Sequence, residues 1–478
     1  MEPSDLSDPW LSDTPPTPSL PRITLFTMFR LGLFQMGLGM MSLLTLGVLN
    51  RVMITELKVP VLITGGVIAV HQFMSPSRVW FGQLSDAKPI LGQHRTGYVW
   101  LGTLLFTLTA FLALQVTWQL GSSLEATGLS GQTYAWIGVL GLMFALYGLA
   151  LGASSTPFAA MLVDISDEDN RSKLVSVVWS LLMVGIIIGA ILTSILLNQL
   201  GIDAPIDRVQ ASINRLFVIV PAIVIALAVV ATWGVEKKYS RYTTRSTLSD
   251  REDQISLGRA LQVLTASRQT GIFFSFLLVM SISLFMQDAI LENYGGQVFQ
   301  MPIAETTQLN AFFGLGTLIG IAATGFFIVP RLGKKRTVKY GCLGVAICCG
   351  LLIAAGFTGE VNLLKNALLL FGVCSGVLTA GAISLMLDLT AAETAGTFIG
   401  AWGLAQAMAR GQATVFGTAV LALGLKIFSQ PLLAYSLVFV TQIVGMVVAI
   451  WLLRKVNIKE FQENTKAAIS AVMAGDLD

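Results

Sequence analysis

Gly82-Gln83-Leu84-Ser85-Asp86 closes one apolar run, and Gly92-Gln93-His94-Arg95-Thr96-Gly97 leads into the next. The second pattern returns as Gly333-x-x-Arg336-Thr337, again after an even-numbered apolar run. Further out, Tyr147-Gly148, Gly152 and Asp164 match Phe371-Gly372, Gly376 and Asp388 at one constant offset. Chance recurrence of glycine explains a shared Gly–Gly–Asp register poorly, so the chain reads as two similar halves. Repeats of about six helices mark secondary-transporter folds, which hold a substrate near the midplane between the halves.

The 478 residues are 54% hydrophobic and 12% charged, with a mean hydropathy of +0.74. Soluble domains carry about 25% charged residues, and a soluble fold of this size has too little interior for so much apolar surface. A membrane-crossing helix needs ~20 apolar residues, and about twelve runs meet that length. They lie at roughly 24–50, 59–81, 96–118, 133–163, 173–199 and 214–235, then 270–293, 308–330, 337–357, 363–388, 395–423 and 432–453. The expected fold class is an all-α membrane protein of about 12 transmembrane helices in two six-helix pseudo-symmetric halves. The expected division is a disordered tail at 1–23, halves at 24–235 and 270–454, a linker at 236–269, and a tail at 455–478.

Charge sets the orientation. One side of the runs collects Lys88, Arg95, Arg171, Lys173, the linker cluster from Lys237 to Arg251, Arg331, Lys334, Lys335, Arg336 and Lys339, then Arg454, Lys455 and Lys459. The other side has Arg51, Lys58, Arg208, Arg215, Lys365 and Lys426. Loops rich in Lys and Arg stay in the cytoplasm, so both termini and the linker are expected there. Met1–Ile23 is acidic and Pro/Ser-rich, without the basic start and apolar stretch of a signal peptide. The first apolar helix is then expected to direct insertion.

Several functions find no support. Cys342, Cys348, Cys349 and Cys374 all lie inside apolar runs, without the spacing of a disulfide framework or zinc site. No P-loop, GxSxG elbow or metal-ligand cluster is present, so no catalytic or metal residue is assigned and ATP-driven transport would need another subunit. The linker's basic cluster is explained by topology and needs no nucleic acid.

The stretch Gly82–Asp86 with Arg95 resembles the loop motif of the major facilitator superfamily, Gly-x-x-x-Asp followed by basic residues, although the gap after Asp86 is longer here. Four segments narrow the resemblance. They are Arg30 to Gln35 with Gly39, Leu49-Asn50-Arg51-Val52-Met53-Ile54 and Glu56-Leu57; Ser85-Asp86 with Leu91-Gly92, Arg95, Tyr98 and Trp100; Gln287-Asp288-x-Ile290-Leu291-Glu292 with Gly295-Gly296 and Val298-Phe299; and Gly400-Ala401-Trp402-Gly403-x-x-Gln406-Ala407. Together they resemble the bacteriochlorophyll-delivery branch of that superfamily, the PucC-type light-harvesting assembly proteins, over most of the membrane portion. The resemblance is weaker in the tails, the linker and the loop at 119–133. It implies a thylakoid or other photosynthetic membrane, and a carrier or chaperone delivering (bacterio)chlorophyll as cargo, with no obligatory cofactor. It implies partners among chlorophyll-binding membrane polypeptides or pigment-synthesis enzymes, besides the lipid bilayer. Two other functions stay open on the residues alone: an ion-coupled transporter of a small solute, and a pigment-free scaffold for client helices.

Charges inside a membrane are costly and mark function by default. Asp288 and Glu292 are four apart, so a regular helix would carry both on one face. They are expected near the outer end of helix seven, with Arg51 at the same end of helix one. An outer gate pairing Arg51 with Asp288 or Glu292 follows; the plainer reading has Glu292 solvated and Arg51 snorkelling. At the inner end, Asp86 and Arg95 are expected to latch. Arg30 is read as an inner-gate or pigment contact, or as a partner of backbone carbonyls and lipid phosphates, and Arg410, sharing a face with Gln406, likewise. Candidate pigment contacts are Gln35, Asn50, His71, Trp402, Gln406 and Arg410. His71 is a candidate magnesium ligand, although a lone membrane histidine more often bonds a neighbouring helix. Trp402 lies between small residues that leave room for a flat ring. Asp164 is expected to set loop geometry and cap helix five.

Overall fold

The computed structural model describes residues 23–166, 168–198, 204–240, 268–389 and 395–457. The two tails and the body of the linker, at 1–22, 241–267 and 458–478, lie outside the described residues.

All the named elements are helical. In chain order they are α1 (Leu25–Glu56), α2 (Val61–Phe73), α3 (Ser77–Ala87), α4 (Thr96–Thr127), α5 (Gly131–Ile165), α6 (Glu168–Leu197), α7 (Ile206–Thr232) and α8 (Val235–Tyr239). The second half has α9 (Arg268–Phe285), α10 (Leu291–Val298), α11 (Ile303–Ala323), α12 (Val329–Leu332), α13 (Lys334–Thr358), α14 (Val361–Leu389), α15 (Ala395–Ile427) and α16 (Pro431–Lys455). They form twelve passes, six per half, because α2 with α3, α9 with α10, and α11 with α12 each make one interrupted pass. Nine described helices are long and apolar enough to cross a bilayer by themselves. Leu104, Leu108, Ile195, Phe357, Val444 and Val447 are exposed on the bundle surface, where hydrocarbon tails replace water as the solvent.

The matched glycines of the two halves do the same work. A Cβ on Gly148 of α5 would lie 2.5 Å from the His71 carbonyl oxygen of α2, and one on Gly372 of α14 would lie 2.2 Å from the Phe313 carbonyl oxygen of α11. Each glycine lets the fourth helix of its half press on the backbone of the second. Close approach of this kind holds helices together where no hydrophobic effect acts between them. The Gly–Gly register is therefore a packing signature of the repeat.

Helix ends differ from the expected spans, most of all at 119–133. That segment is not a loop: α4 runs on through Ser122, Ser123 and Glu125 to Thr127, and α5 begins at Gly131. Gly128, at φ 63°, stops α4, and the Ser130 hydroxyl accepts the Thr133 N–H to start α5. A helix satisfies its own backbone in lipid and in water alike, so it need not end at the bilayer edge.

Three passes break where chemistry gathers. Two π segments in α1, Leu43–Val48 and Val52–Glu56, bracket Asn50 and Arg51. A 3₁₀ turn, Met286–Ala289, separates α9 from α10 and carries Asp288. Between α2 and α3 stands Pro76, which has no N–H to donate. The Ser75 hydroxyl donates instead to the Gln72 carbonyl at 2.6 Å, and the Ser77 hydroxyl to that of Met74 at 2.6 Å. Side-chain hydroxyls thus satisfy backbone groups that the break sets free.

Candidate functional site

The passes run alternately, so one end of the bundle carries the tails and the linker, here the linker end. At the far end, α1 is tied to the second half. The Asn50 amide donates to the Ala289 carbonyl at 2.5 Å. Arg51 donates to the Thr306 hydroxyl and, at 2.9 Å, to the Met301 carbonyl. The Thr55 hydroxyl donates to Asn293 at 2.9 Å, and Gln308 donates to Ser194 of α6 at 2.8 Å. Asn50 and Arg51 are both buried. This layer closes the far end.

The expected outer gate is in the expected place with different partners. Among the described residues no ion pair joins Arg51 to Asp288 or Glu292. Its nearest carboxylate is Glu56, one helical turn on, at 4.0 Å. Glu292 is buried, neither solvated nor paired with Arg51: one carboxylate oxygen accepts from Asn310 of α11 at 2.7 Å and the other has no hydrogen-bond partner. The 3₁₀ turn at Met286–Ala289 is the reason. It ends the regular helix before Glu292, so the four-residue spacing no longer puts Asp288 and Glu292 on one face.

Asp288 lines a cleft between the halves instead. Leu46, Asn50, Ile68 and Gln72 form one wall, and Phe285, Asp288, Ala289, Arg410 and Thr414 the other. The cleft holds about 20 Å³, room for roughly one water molecule. Asp288 was expected near the outer end; it faces Gln72 and Arg410, which come from the middle of their passes. The Arg410 guanidinium stacks over Phe285, 4.1 Å from the ring centre, close to the best cation–π geometry. Arg410 is surrounded by protein and yet solvent-exposed, so it faces an internal vestibule. With the far end closed, that vestibule is reached from the linker end.

At the linker end, Arg95 is buried and holds two carboxylates: Asp86 at 2.5 Å and Asp164 at 2.9 Å. It also donates to the Ser85 hydroxyl at 2.6 Å. The long gap after Asp86 is absorbed by a tight turn in which Ile90 and Gln93 exchange backbone hydrogen bonds at 3.0 Å. Leu91 and Gly92 sit at φ 53° and 71°, the left-handed pair such a turn requires, and Arg95 is carried back onto Asp86. Burial by itself would lower the Arg95 pKa; Asp164 and Asp86 outweigh it and raise the pKa. Asp164 is thus a latch residue, where a loop-setting and capping role was expected.

Sequence reasoning missed Glu236. It was read as the start of the linker, but it belongs to α8 and caps the N-terminus of α4. Its carboxylate accepts from the backbone N–H of His94 at 2.7 Å, Arg95 at 3.1 Å and Thr96 at 2.7 Å, and from the Thr96 hydroxyl at 2.8 Å. A carboxylate there meets both the orphan donors and the positive end of the helix dipole. No local pattern announces it, because 140 residues separate it from Thr96.

The other candidates disperse. Arg30 donates to the Trp233 carbonyl at 2.9 Å, at the end of α7, which is the backbone-carbonyl role. Gln35 is buried and does not border the cleft. His71 is buried beside Phe144 and Tyr147; its Nδ1 bonds the Ile68 carbonyl, so Nδ1 carries the proton. The ring does not border the cleft, and its hydrogen bond stays within its own helix. Gln406 is half-buried and away from the cleft. The side chain of Trp402 lies outside the described residues. Of the proposed pigment contacts, only Asn50 and Arg410 meet.

The comparisons with known proteins fit this geometry. The family model described as "PUCC protein" matches residues 48–461. The chain belongs to the PUCC protein family. The match spans both halves and contains every residue of the cleft except Leu46. A Rhodobacter capsulatus protein named "Bacteriochlorophyll synthase 44.5 kDa chain" is 29% identical over 94% of this chain and 98% of its own length. The Cereibacter sphaeroides "Protein PucC" is 29% identical over 84% of each chain. Among solved structures, the nucleoside transporter NupG (D323A mutant) superposes with a TM-score of 0.66 at 13% identity, covering 90% of this chain and 99% of that one. An inward-facing, unoccupied bacterial homologue of the lysosomal transporter Spinster gives 0.62 at 12% identity, covering 93% and 97%. At these identities the likeness concerns the fold: this PUCC family member has the two-half bundle of major facilitator transporters.

Proposed function

We propose that this PUCC family protein holds (bacterio)chlorophyll and delivers it during assembly of light-harvesting or photosystem complexes. Membership of the family over residues 48–461 carries the reading. The fold supports it by supplying what a carrier needs: two halves, one closed end, and a vestibule reached from the other. The linker end is read as cytoplasmic from its lysines and arginines, and the membrane as a thylakoid or other photosynthetic one. The pigment is cargo, and the protein acts on it by binding, without catalysis. Its partners are then pigment-binding polypeptides or the enzymes that complete the pigment.

Purification from a phototrophic host in mild detergent tests this. Chlorin absorption bands and co-purifying photosynthetic polypeptides are expected. A colourless preparation without such partners overturns the proposal, and partners without colour favour a scaffold for client helices. One observation favours the ion-coupled alternative: Asp288 borders the cleft between the halves. Proton uptake coupled to a solute gradient in vesicles, lost in Asp288→Asn, would establish that mechanism.

A further inference from the structure

Two arginines face the vestibule without a carboxylate of their own. Arg78 is the second residue of α3, just past the Pro76 break. Arg410 stands beside Gly411, where an added Cβ would meet Gln72 and Phe73 just before the break, at 3.1 Å and 3.2 Å. The break between α2 and α3 thus lies between the two guanidinium groups. They are near enough to repel each other, and Asp288 is the carboxylate whose field reaches Arg410. Among the described residues neither arginine makes an ion pair within 4.0 Å, while Arg51 and Arg95 both do. Each guanidinium has five donors and cannot lose its charge. Two like charges held together inside a membrane protein are costly unless an anion or water meets them.

We propose that Arg78 and Arg410 together form an anion site that receives the free propionate carboxylate of an unesterified chlorin. This rests on the pigment reading above and deepens it. A carboxylate matches the guanidinium fork, two donors to two oxygens. Placed between the two cations it removes their repulsion and leaves Asp288 paired with Arg410 from the other side. The size of the cleft supports a small terminal group: at about 20 Å³ it admits no macrocycle. The ring stays in the wider vestibule, and only its acid side arm reaches the arginines. An esterified pigment lacks that charge and fits the site poorly. Inorganic phosphate and phospholipid headgroups share the anionic chemistry and are the competing sources.

The test uses the full chain in lipid nanodiscs and two probes with one macrocycle, a magnesium chlorin free acid and its methyl ester. The free acid is expected to bind at least ten-fold more tightly. Arg78→Gln and Arg410→Gln should each reduce that preference to less than three-fold while leaving ester binding unchanged. Arg78→Lys and Arg410→Lys should keep part of it, which separates charge from folding. Equal binding of acid and ester by the wild-type protein overturns the anion site and leaves the pigment reading standing. Failure of both probes to bind overturns the pigment reading itself. A preference for the acid that survives both Gln substitutions overturns the assignment to these arginines. Displacement of the acid by millimolar phosphate or by phosphatidylglycerol, with no preference over the ester, shows a general phosphate site and also overturns the proposal.

Discussion

Each end of the bundle is organised around one buried arginine, and the two are wired differently. Arg95, at the linker end, binds Asp86, Asp164 and Ser85, while Glu236 caps the helix that Arg95 precedes. All of these residues belong to the first half. Arg51, at the far end, reaches a hydroxyl and a carbonyl of the second half, with Glu56 only at 4.0 Å. Charge-assisted bonds are about twice as strong as neutral ones. The strong bonds therefore make one half rigid, and the weaker ones join the halves. A carrier that must part its halves needs this division: the joint yields before the unit does.

The largest effect is expected at the linker end. Asp164→Ala leaves Arg95 buried with half its counter-charge, and removing one partner of a buried pair costs about 3 kcal/mol or more. The expected result is a clear loss of thermal stability in detergent, read by the unfolding midpoint. Unchanged stability would show that the latch does not hold the first half together.

The next effect belongs to the far end and differs in kind. A Cβ on Gly47 would lie 2.1 Å from the Glu292 carboxylate, so Gly47→Ala pushes that side chain off Asn310 at a cost of about 1–3 kcal/mol. The halves should part there while each stays folded. Spin labels at Glu125 and Glu360, one on each half, should report a longer mean distance with little change in midpoint. A fall in the midpoint without a distance change would erase the contrast between the ends.

Glu236→Ala removes a helix cap and is expected to cost roughly 0.5–2 kcal/mol. Faster amide exchange at His94, Arg95 and Thr96 is its signature. Asp86→Asn is expected to be the mildest, below about 1 kcal/mol, because the Asp86 carboxylate is 53% exposed and water screens its pair with Arg95. Exchanging the charges of Arg51 and Asp288 is not expected to restore function lost in the single variants, since Asp288 lies beside Arg410 and away from Arg51.

Much of the fold was legible in the residues. Twelve apolar runs, the Gly148 and Gly372 register and the Gly92 and Gly333 turns are local or periodic signals. A helix in lipid must bond its own backbone, a helix pressed on another needs a glycine, and a left-handed turn needs one too. Arg95 with Asp86 was legible for the same reason, because they sit on one short loop. The site was legible only by place. Asn50, Arg51, Asp288, Glu292 and Arg410 were singled out because polar groups in apolar runs are rare and costly.

Which of these meet was decided by the tertiary structure. Spacing rules assume a regular helix, and the π segments around Asn50 and the 3₁₀ turn at Asp288 turn each side chain away from its periodic position. Glu236 reaches α4, and Arg51 reaches Met301 and Thr306, across 140 or more residues. The sequence by itself determined that this chain crosses a membrane as two related halves with an arginine at each end. Only the packing of those halves decided that one arginine would bind carboxylates within its own half and the other would reach across to the second. Partner choice depends on distances and angles between helices, which no local pattern of residues records.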